Sequence, residues 1–181
     1  MGKYGFAFAA ALAAMLIASP AAAQNDISKQ IINTPSPEAF AIYGLSQKPK
    51  VRKDATVQGG LALRVAIPGK GTTPYAISLS APITKPIRKG DRLVLAFWAR
   101  FDKAEGPSVS IANASVQLAA APYTAFFGKP VDIGPEWKLH SVEGVADRDY
   151  AAGEVAVSMH LATGKQVIDL GPIFLLDLSL K

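Results

Sequence analysis

Short apolar runs separated by turn-forming residues occupy the sequence from Gly60 to its end. Gly, Pro, Asp and Lys cluster between these runs at intervals typical of a β-sandwich, and helical periodicity is largely absent. This pattern predicts an all-β domain. We place its strands at residues 61–67, 75–80, 92–101, 108–116, 123–127, 137–145, 154–161 and 166–180, the last with a break at Gly171-Pro172.

Alternation within two of these segments predicts a buried face and an opposite face. The first core face consists of Leu93, Leu95, Phe97 and Phe101, and the second of Val155, Val157, Met159 and Leu161. Trp98 and Arg100 stand opposite the first core face. Ala156, Ser158 and His160 stand opposite the second, and we expect these small and polar side chains to leave room above the sheet.

The N-terminus has the three regions of a secretory signal peptide, which we assign to residues 1–23. Lys3 precedes an apolar run over residues 6–18, and Ala21 and Ala23 supply the small side chains that signal peptidase requires. The run is shorter than the roughly 20 residues of a membrane-spanning helix, so we expect no permanent membrane span. We predict cleavage after Ala23 and a periplasmic or secreted protein; an uncleaved N-terminal anchor is the alternative.

Residues 24–181 have the length of a single domain. Residues 24–59 form an irregular lead-in that includes the first strand, and residues 60–181 form the sandwich. In the lead-in, Ser36 as N-cap, followed by a proline, indicates a helix of about two turns that ends near Gly44. A looped, proline-interrupted segment is the alternative.

The formal net charge of +5 is a modest excess for 181 residues. Basic side chains are densest over residues 48–53, a stretch that contains a proline and has no interleaved aromatic residues. Such a stretch favours a solvated loop over a nucleic-acid surface. We therefore expect no nucleic-acid partner.

The residue types that usually carry catalysis are scarce or unfavourably spaced. The chain has no cysteine, and neither His140 nor His160 has a His, Asp or Glu two residues away, the spacing that places two ligands on one face of a strand. No Gly-x-Ser-x-Gly turn is present. Apart from Asp169 and Asp177, most carboxylates of the sandwich lie at predicted turns or strand ends, where the burial needed for general acid catalysis is unusual. These observations favour binding over catalysis.

Four segments carry a recognisable pattern: residues 58–65 (Gln-Gly-Gly-Leu-Ala-Leu-Arg-Val), 89–100 (from Lys-Gly-Asp-Arg-Leu to Phe-Trp-Ala-Arg), 135–138 (Pro-Glu-Trp-Lys) and 164–178. In this order they resemble the family 4/9 carbohydrate-binding modules and their galactose-binding-like relatives. The resemblance spans nearly all of the chain after the signal peptide. It implies a jelly-roll β-sandwich of about eight to nine strands.

The resemblance also implies a sugar chain on the concave face of one sheet, held by aromatic rings and polar side chains. Trp98 would be the leading stacking platform, with Arg100, His160 and Gln166 as hydrogen-bond partners on neighbouring strands. Loop aromatics would add contacts, namely Tyr123, Phe126 and Tyr75. The alternative is that Trp98 fills the core and Arg100 pairs with a carboxylate.

A structural calcium ion is a further implication, because many members of the family hold one between an N-terminal Glu and a C-terminal Asp. Asp177 matches the latter. The family's Gly-Asp-Phe-Glu lead-in is absent, and Glu38 is only a loose substitute for its glutamate. Backbone carbonyls would have to supply further ligands. No cofactor is required for the predicted function.

These observations predict an exported, stand-alone module that binds plant or cell-wall poly- or oligosaccharide without cleaving it. Separate glycoside hydrolases are candidate partners. One alternative is a periplasmic protein-interaction or envelope-assembly sandwich without a sugar site, whose concave face would be filled by side chains. Another is a small glycan hydrolase, which requires two carboxylates facing each other across a cleft.

Overall fold

The computed structural model of the protein describes residues 27–180. The predicted signal peptide therefore lies outside the described residues. No helix within residues 27–180 is long and apolar enough to cross a membrane.

Within residues 27–180, ten strands form two five-stranded antiparallel sheets. Sheet 1 contains, in spatial order, β1 (Ala41–Tyr43), β4 (Ser78–Pro82), β9 (Val155–His160), β6 (Val109–Leu118) and β7 (Ala125–Ile133). Sheet 2 contains β2 (Lys50–Lys53), β3 (Leu61–Ile67), β10 (Gln166–Asp177), β5 (Arg92–Ala104) and β8 (Lys138–Val145). Short 3-10 turns connect them at Ile27–Gln30, Pro37–Ala39, Gln58–Gly60 and Pro74–Ala76.

The core lies between the sheets and is built from the alternating faces that the sequence predicts. Leu95 and Phe97 of β5 and Val157 and Met159 of β9 are completely buried. Each such side chain contributes roughly 1.5–3 kcal/mol of burial free energy. Phe101 packs against this core but is only partly buried.

The predicted strands match the observed ones closely in the middle and C-terminal parts of the chain. Residues 61–67 are reproduced as β3, and the predicted break at Gly171-Pro172 coincides with a register shift between Leu170 and Ile173. Several strand ends differ, most of all in β7. Tyr75 lies in the 3-10 turn before β4, and β7 begins only at Ala125 and continues to Ile133.

The two-turn helix predicted in the lead-in is wrong. Ser36 does cap a turn, since its Oγ accepts a hydrogen bond from the Glu38 N–H at 3.3 Å, but the turn ends at Ala39. β1 follows because pairing with β4 satisfies its backbone groups, and tertiary pairing overrides local helix propensity. Gly44 ends β1 at a φ of 82°, where a Cβ atom would collide with the Ala76 carbonyl. Residues 48–53 are likewise not all loop, because they include β2.

The start of the lead-in extends sheet 2 along β10. Ile32 N donates to Leu175 O at 2.9 Å, and Pro35 O accepts from Ile173 N at 3.1 Å. Between these two hydrogen bonds, the buried side chain of Asn33 bonds to the β10 backbone, as the backbone of a neighbouring strand would. Its Nδ2 donates to Ile173 O at 2.8 Å, and its Oδ1 accepts from Leu175 N at 2.8 Å.

A candidate binding cleft on sheet 1

The centre of the outer face of sheet 1 is a row of small residues that crosses the strands. Ser80 pairs with Ser158, Ser158 with Ser115, and Ser115 with Gly128. Because paired residues point to the same side of a sheet, this row carries no large side chain, and Ser80 and Ser158 form its open part as a floor. A Cβ atom at Gly128 would lie 2.5 Å from Ser115 Cβ, so only glycine fits there.

Two further rows flank this floor and form walls. On one side Tyr43, Ser78, His160 and Asn113 are aligned across β1, β4, β9 and β6. On the other side Gln117 pairs with Ala156. The two walls are separated by four residues along each strand, or about 13 Å at 3.3 Å per residue. The result is a cleft that runs across the strands.

Three exposed tyrosines border this cleft, which has a volume of about 700 Å³. Tyr43, Tyr75 and Tyr123 are 59, 61 and 58% exposed. Tyr75 lies in the turn Pro74–Ala76, and its ring meets the His160 imidazole edge-on with centroids 5.8 Å apart. Tyr123 lies in the loop between β6 and β7, after the cis peptide bond of Ala121 and Pro122. Aromatic rings therefore stand on both sides of a polar floor.

The cleft is electrically neutral at pH 7. Within the described part of the chain, none of the cleft-lining residues is an Asp, Glu, Lys or Arg. Burial lowers the pKa of His160, its one imidazole, below the usual value of 6.5. The cleft therefore offers neutral hydroxyl, amide and imidazole groups together with aromatic rings.

Three of the sequence-predicted ligand residues meet in this cleft. His160, Tyr75 and Tyr123 all line it. The interpretation that Trp98 and Arg100 lie on strands next to His160 is wrong, since they belong to β5 of sheet 2 and face the opposite side of the sandwich. Alternation along a strand separates core from surface, but it does not say in which sheet the strand lies.

Trp98 is partly covered by the segment that leads from β2 to β3. Its indole Nε1 donates to Gln58 Oε1 at 2.9 Å. Beside it, Val57 is 4% exposed, and a Cβ atom at Gly171 would be 2.7 Å from Val57 Cγ2 and 2.9 Å from Trp98 Cβ. Trp98 is thus neither a residue between the sheets nor part of the cleft.

Arg100 belongs to a network of ion pairs on the outer face of sheet 2. The completely buried Asp169 carboxylate accepts from Arg64 Nε at 2.8 Å, Arg52 Nη2 at 2.7 Å and Arg100 Nε at 3.1 Å. Asp54 accepts from Arg52 at 3.1 Å and Arg100 at 3.3 Å. The alternative that Arg100 pairs with a carboxylate is therefore the one observed.

This network stabilises the charged form of Asp169. Burial alone would raise the pKa of Asp169, but the hydrogen bonds from Arg64 and Arg52 hold it below the ordinary value. Arg100 also stacks over the Trp137 ring, 5.0 Å from its centroid. The network joins β2, β3, β5 and β10. Its role is therefore structural.

Gln166 and Phe126 also lie away from the cleft. Gln166 is 6% exposed, and its Nε2 donates to Leu161 O and Thr163 Oγ1, both at 3.0 Å. It thereby closes the turn between β9 and β10. Phe126 is half-buried, with its ring stacked on Tyr150 at 4.8 Å between centroids. The structure explains both residues by packing and turn formation.

Glu38 and Asp177 do not meet, so this pair does not fit a calcium site. The lead-in pairs with β10 from Leu176 back to Ile173. Ile173 lies about 13 Å from Asp177 along the strand. Glu38 follows Pro35 and lies beyond that point. No group of three or more His, Cys, Asp and Glu within residues 27–180 is arranged to hold a metal ion.

Asp177 has other neighbours. Its Oδ1 accepts from Ser179 N at 2.9 Å, and the carboxyl group of Asp91 lies beside it. Burial, and then the like charge of Asp91, raise the pKa of Asp177.

The sequence did not single out four of the polar and aromatic residues that line the cleft: Tyr43, Ser78, Ser80 and Gln117. A signal existed for the two serines, since Ser78-Leu79-Ser80 repeats the polar-apolar alternation of β9. Tyr43 lies in the segment that was predicted as a helix, so the sequence did not place it on a sheet.

No family model matches the sequence, and no curated protein sequence matches it. Solved structures do match its fold. A CBM4 module superposes with a TM-score of 0.59 at 17% identity, over 78% of this chain and 96% of that one. The N-terminal cellulose-binding domain of Cellulomonas fimi β-1,4-glucanase C gives 0.57 at 17%, over 79% and 91%.

The C-terminal family 22 carbohydrate-binding module of Clostridium thermocellum Xyn10B gives a TM-score of 0.57 at 10% identity, over 85% of this chain and 97% of that one. These likenesses confirm the predicted β-sandwich and its resemblance in fold to carbohydrate-binding modules. The described part of the chain has ten strands, because the lead-in contributes β1 and β2.

Proposed function

We propose that this protein is an exported, non-catalytic module that binds a poly- or oligosaccharide in the cleft on sheet 1. The observation that carries the proposal is the placement of Tyr43, Tyr75 and Tyr123 around a floor of serines. Sugar rings present C–H faces that pack on aromatic rings, and hydroxyl groups that need fixed hydrogen-bond partners. Exposed tyrosines beside Ser158, His160 and similar groups supply both.

The length of the cleft favours a chain of several sugar units. The residues that line the cleft lie on β1, β4, β9 and β6, and four strands span about 14 Å at 4.8 Å per strand. A volume of about 700 Å³ lies within the range of ordinary ligand sites. Because the cleft runs across the strands, a ligand would lie along the row of Ser80 and Ser158.

The neutrality of the cleft favours an uncharged glycan over a uronate or sulfated one. Recognition of carboxylate or sulfate groups normally uses Arg or Lys. The guanidinium groups of Arg52, Arg64 and Arg100 all lie on the other sheet, where they pair with Asp54 and Asp169. A neutral plant or cell-wall polysaccharide is therefore the proposed class of ligand.

The composition of the cleft also supports binding without cleavage. Glycoside hydrolysis generally uses two carboxylates on either side of the scissile bond. Asp and Glu are absent from the described residues that line the cleft. The protein-interaction alternative predicts a concave face filled by side chains, whereas this face contains an open cleft bordered by exposed rings.

Separate glycoside hydrolases are the proposed partners in function. Two of the similar folds belong to modules of a β-1,4-glucanase and of Xyn10B. Such a module would deliver polysaccharide to these enzymes in the periplasm or outside the cell. The predicted signal peptide supports this location.

Isothermal titration calorimetry tests the proposal directly. The purified protein is titrated at pH 7 with soluble fragments of xylan, β-glucan and galactan. We expect heat with at least one of them, and a loss of that heat on Tyr43→Ala. Leu139→Ala is the matched control, because Leu139 is 48% exposed on β8 of the other sheet. Absence of heat with every fragment would contradict the proposal.

A further inference from the structure

Tyr123 has a backbone conformation that other residues would adopt more easily. With a φ of 56°, it is the one non-glycine residue within residues 27–180 that lies in the left-handed region. In that region the Cβ atom crowds the backbone, so glycine, and to a lesser extent asparagine, is favoured there. A tyrosine at this position carries an avoidable conformational strain.

The surrounding loop holds this conformation through the backbone. Tyr123 N donates to Ala120 O at 2.9 Å, and Leu118 N donates to Thr124 O at 3.0 Å. Ala119 N donates to Glu154 O at 3.0 Å, which ties the loop to the start of β9. The turn therefore requires a left-handed residue at position 123, whatever its side chain.

Packing of the side chain does not explain why a tyrosine occupies position 123. Its phenol ring is 58% exposed at the rim of the cleft. The ring pairs found within residues 27–180 do not include it. Strain that packing does not explain is concentrated at functional sites in proteins.

We infer that Tyr123 is a sugar-stacking residue whose strained backbone persists because it carries the ring over the cleft. The inference rests on the proposed function. The loop of residues 118–124 is then a preformed rim on the Gln117 side, opposite Tyr43 and Tyr75. A ring fixed before the ligand arrives lowers the ordering cost of binding.

Substitutions at position 123 separate the strain from the ring. Tyr123→Gly removes both, and Tyr123→Asn eases the strain without restoring the ring. We expect both to raise Tm, by about 2–4 °C for Gly, and to weaken binding of the best oligosaccharide roughly ten-fold. Tyr123→Phe keeps ring and strain, so its affinity and Tm should stay close to wild type.

Tyr43→Ala is the matched control, because it removes a cleft tyrosine from an ordinary strand conformation. We expect it to weaken binding without raising Tm. The inference is overturned if Tyr123→Gly and Tyr123→Asn both lower Tm, or if they bind like wild type while Tyr43→Ala binds weakly. If the wild-type protein binds no glycan, the proposed function itself is wrong, an outcome distinct from these two.

Discussion

The ring of Tyr75 meets the imidazole of His160 edge-on, with the two centroids 5.8 Å apart. Tyr75 comes from the turn before β4 and His160 from the end of β9, so two elements of sheet 1 bring an aromatic and a polar group together. This pair stands on one wall of the cleft.

Removing the Tyr75 ring should weaken binding with little effect on stability. Tyr75→Ala is expected to cost roughly 1 kcal/mol of binding free energy, or about five- to ten-fold in Kd. The ring is 61% exposed, so Tm should change little. Calorimetric titration measures the affinity, and Tyr75→Phe, which keeps the ring, should bind nearly as well as wild type. Equal affinity of wild type and Tyr75→Ala would remove Tyr75 from the site.

Binding should weaken in acid because of His160. Burial lowers the pKa of His160 below 6.5, so its imidazole is neutral above that pH. As pH falls through the lowered pKa, a positive charge enters a cleft in which none of the other described lining residues is charged. We expect Kd to be constant above pH 6.5 and to rise below it, and His160→Asn to flatten this profile.

His140 supplies the control for that experiment. Burial, and then the charge of Lys138, lower the pKa of His140 as well, but His140 lies in β8 of sheet 2. For both histidines the unfolded chain binds protons more readily, so their stabilising contribution is present above pH 6.5 and is lost as pH falls below it. His140→Asn should therefore change stability below pH 6.5 and leave the pH profile of binding intact.

Breaking the ion-pair network on sheet 2 should destabilise the fold without touching the cleft. Asp169→Asn leaves the guanidinium groups of Arg52, Arg64 and Arg100 without their shared carboxylate, and we expect a loss of about 3 kcal/mol. The lowered pKa of Asp169 means that its contribution is present above pH 3.8 and is lost as pH falls through the lowered value. Denaturant unfolding measures the loss.

The exposed pair of Arg148 and Glu154, 2.7 Å apart, provides a comparison for Asp169→Asn. Arg148→Ala should destabilise the fold much less than Asp169→Asn, because exposed pairs are screened by solvent. Sugar affinity should be unchanged in both variants. A strong loss of affinity in Asp169→Asn at a temperature where it is fully folded would place the ligand on sheet 2.

Asp177→Asn tests whether calcium has a role. The raised pKa of Asp177 means that its ionisation destabilises the fold as pH rises above 3.8. Without calcium, Asp177→Asn should therefore be at least as stable as wild type at pH 7, since Asn can still accept from Ser179 N. Thermal unfolding with calcium and with chelator completes the test. A wild-type Tm that falls in chelator, with no such fall in the variant, would show a calcium site at Asp177.

Much of the fold could be predicted because its strands alternate clearly. In β9 every second residue from Val155 is buried in the core, and the small residues between them are the floor of the cleft. The same alternation in β4 marks Ser78 and Ser80. The alternation of polar and apolar residues along such a strand is enough to distinguish its two faces.

Sheet membership could not be predicted in the same way. Trp98 and His160 both stand opposite a core face, yet they lie on opposite sides of the sandwich, because β5 and β9 belong to different sheets. That difference depends on long-range pairing, which no local pattern contains. Tyr43 illustrates a second limit, since a capped turn at Ser36 gives the same signal whether a helix or a strand follows.

The most direct test of the sugar-binding cleft is a heteronuclear NMR titration of the protein with the best neutral oligosaccharide. We expect shifts in the amide signals of Ser80, Gln117 and Ser158, while the indole N–H signals of Trp98 and Trp137 on the other sheet stay in place. A shift of the Trp98 indole signal without shifts of the cleft amide signals would contradict sugar binding in the cleft. The absence of any shift would contradict it as well.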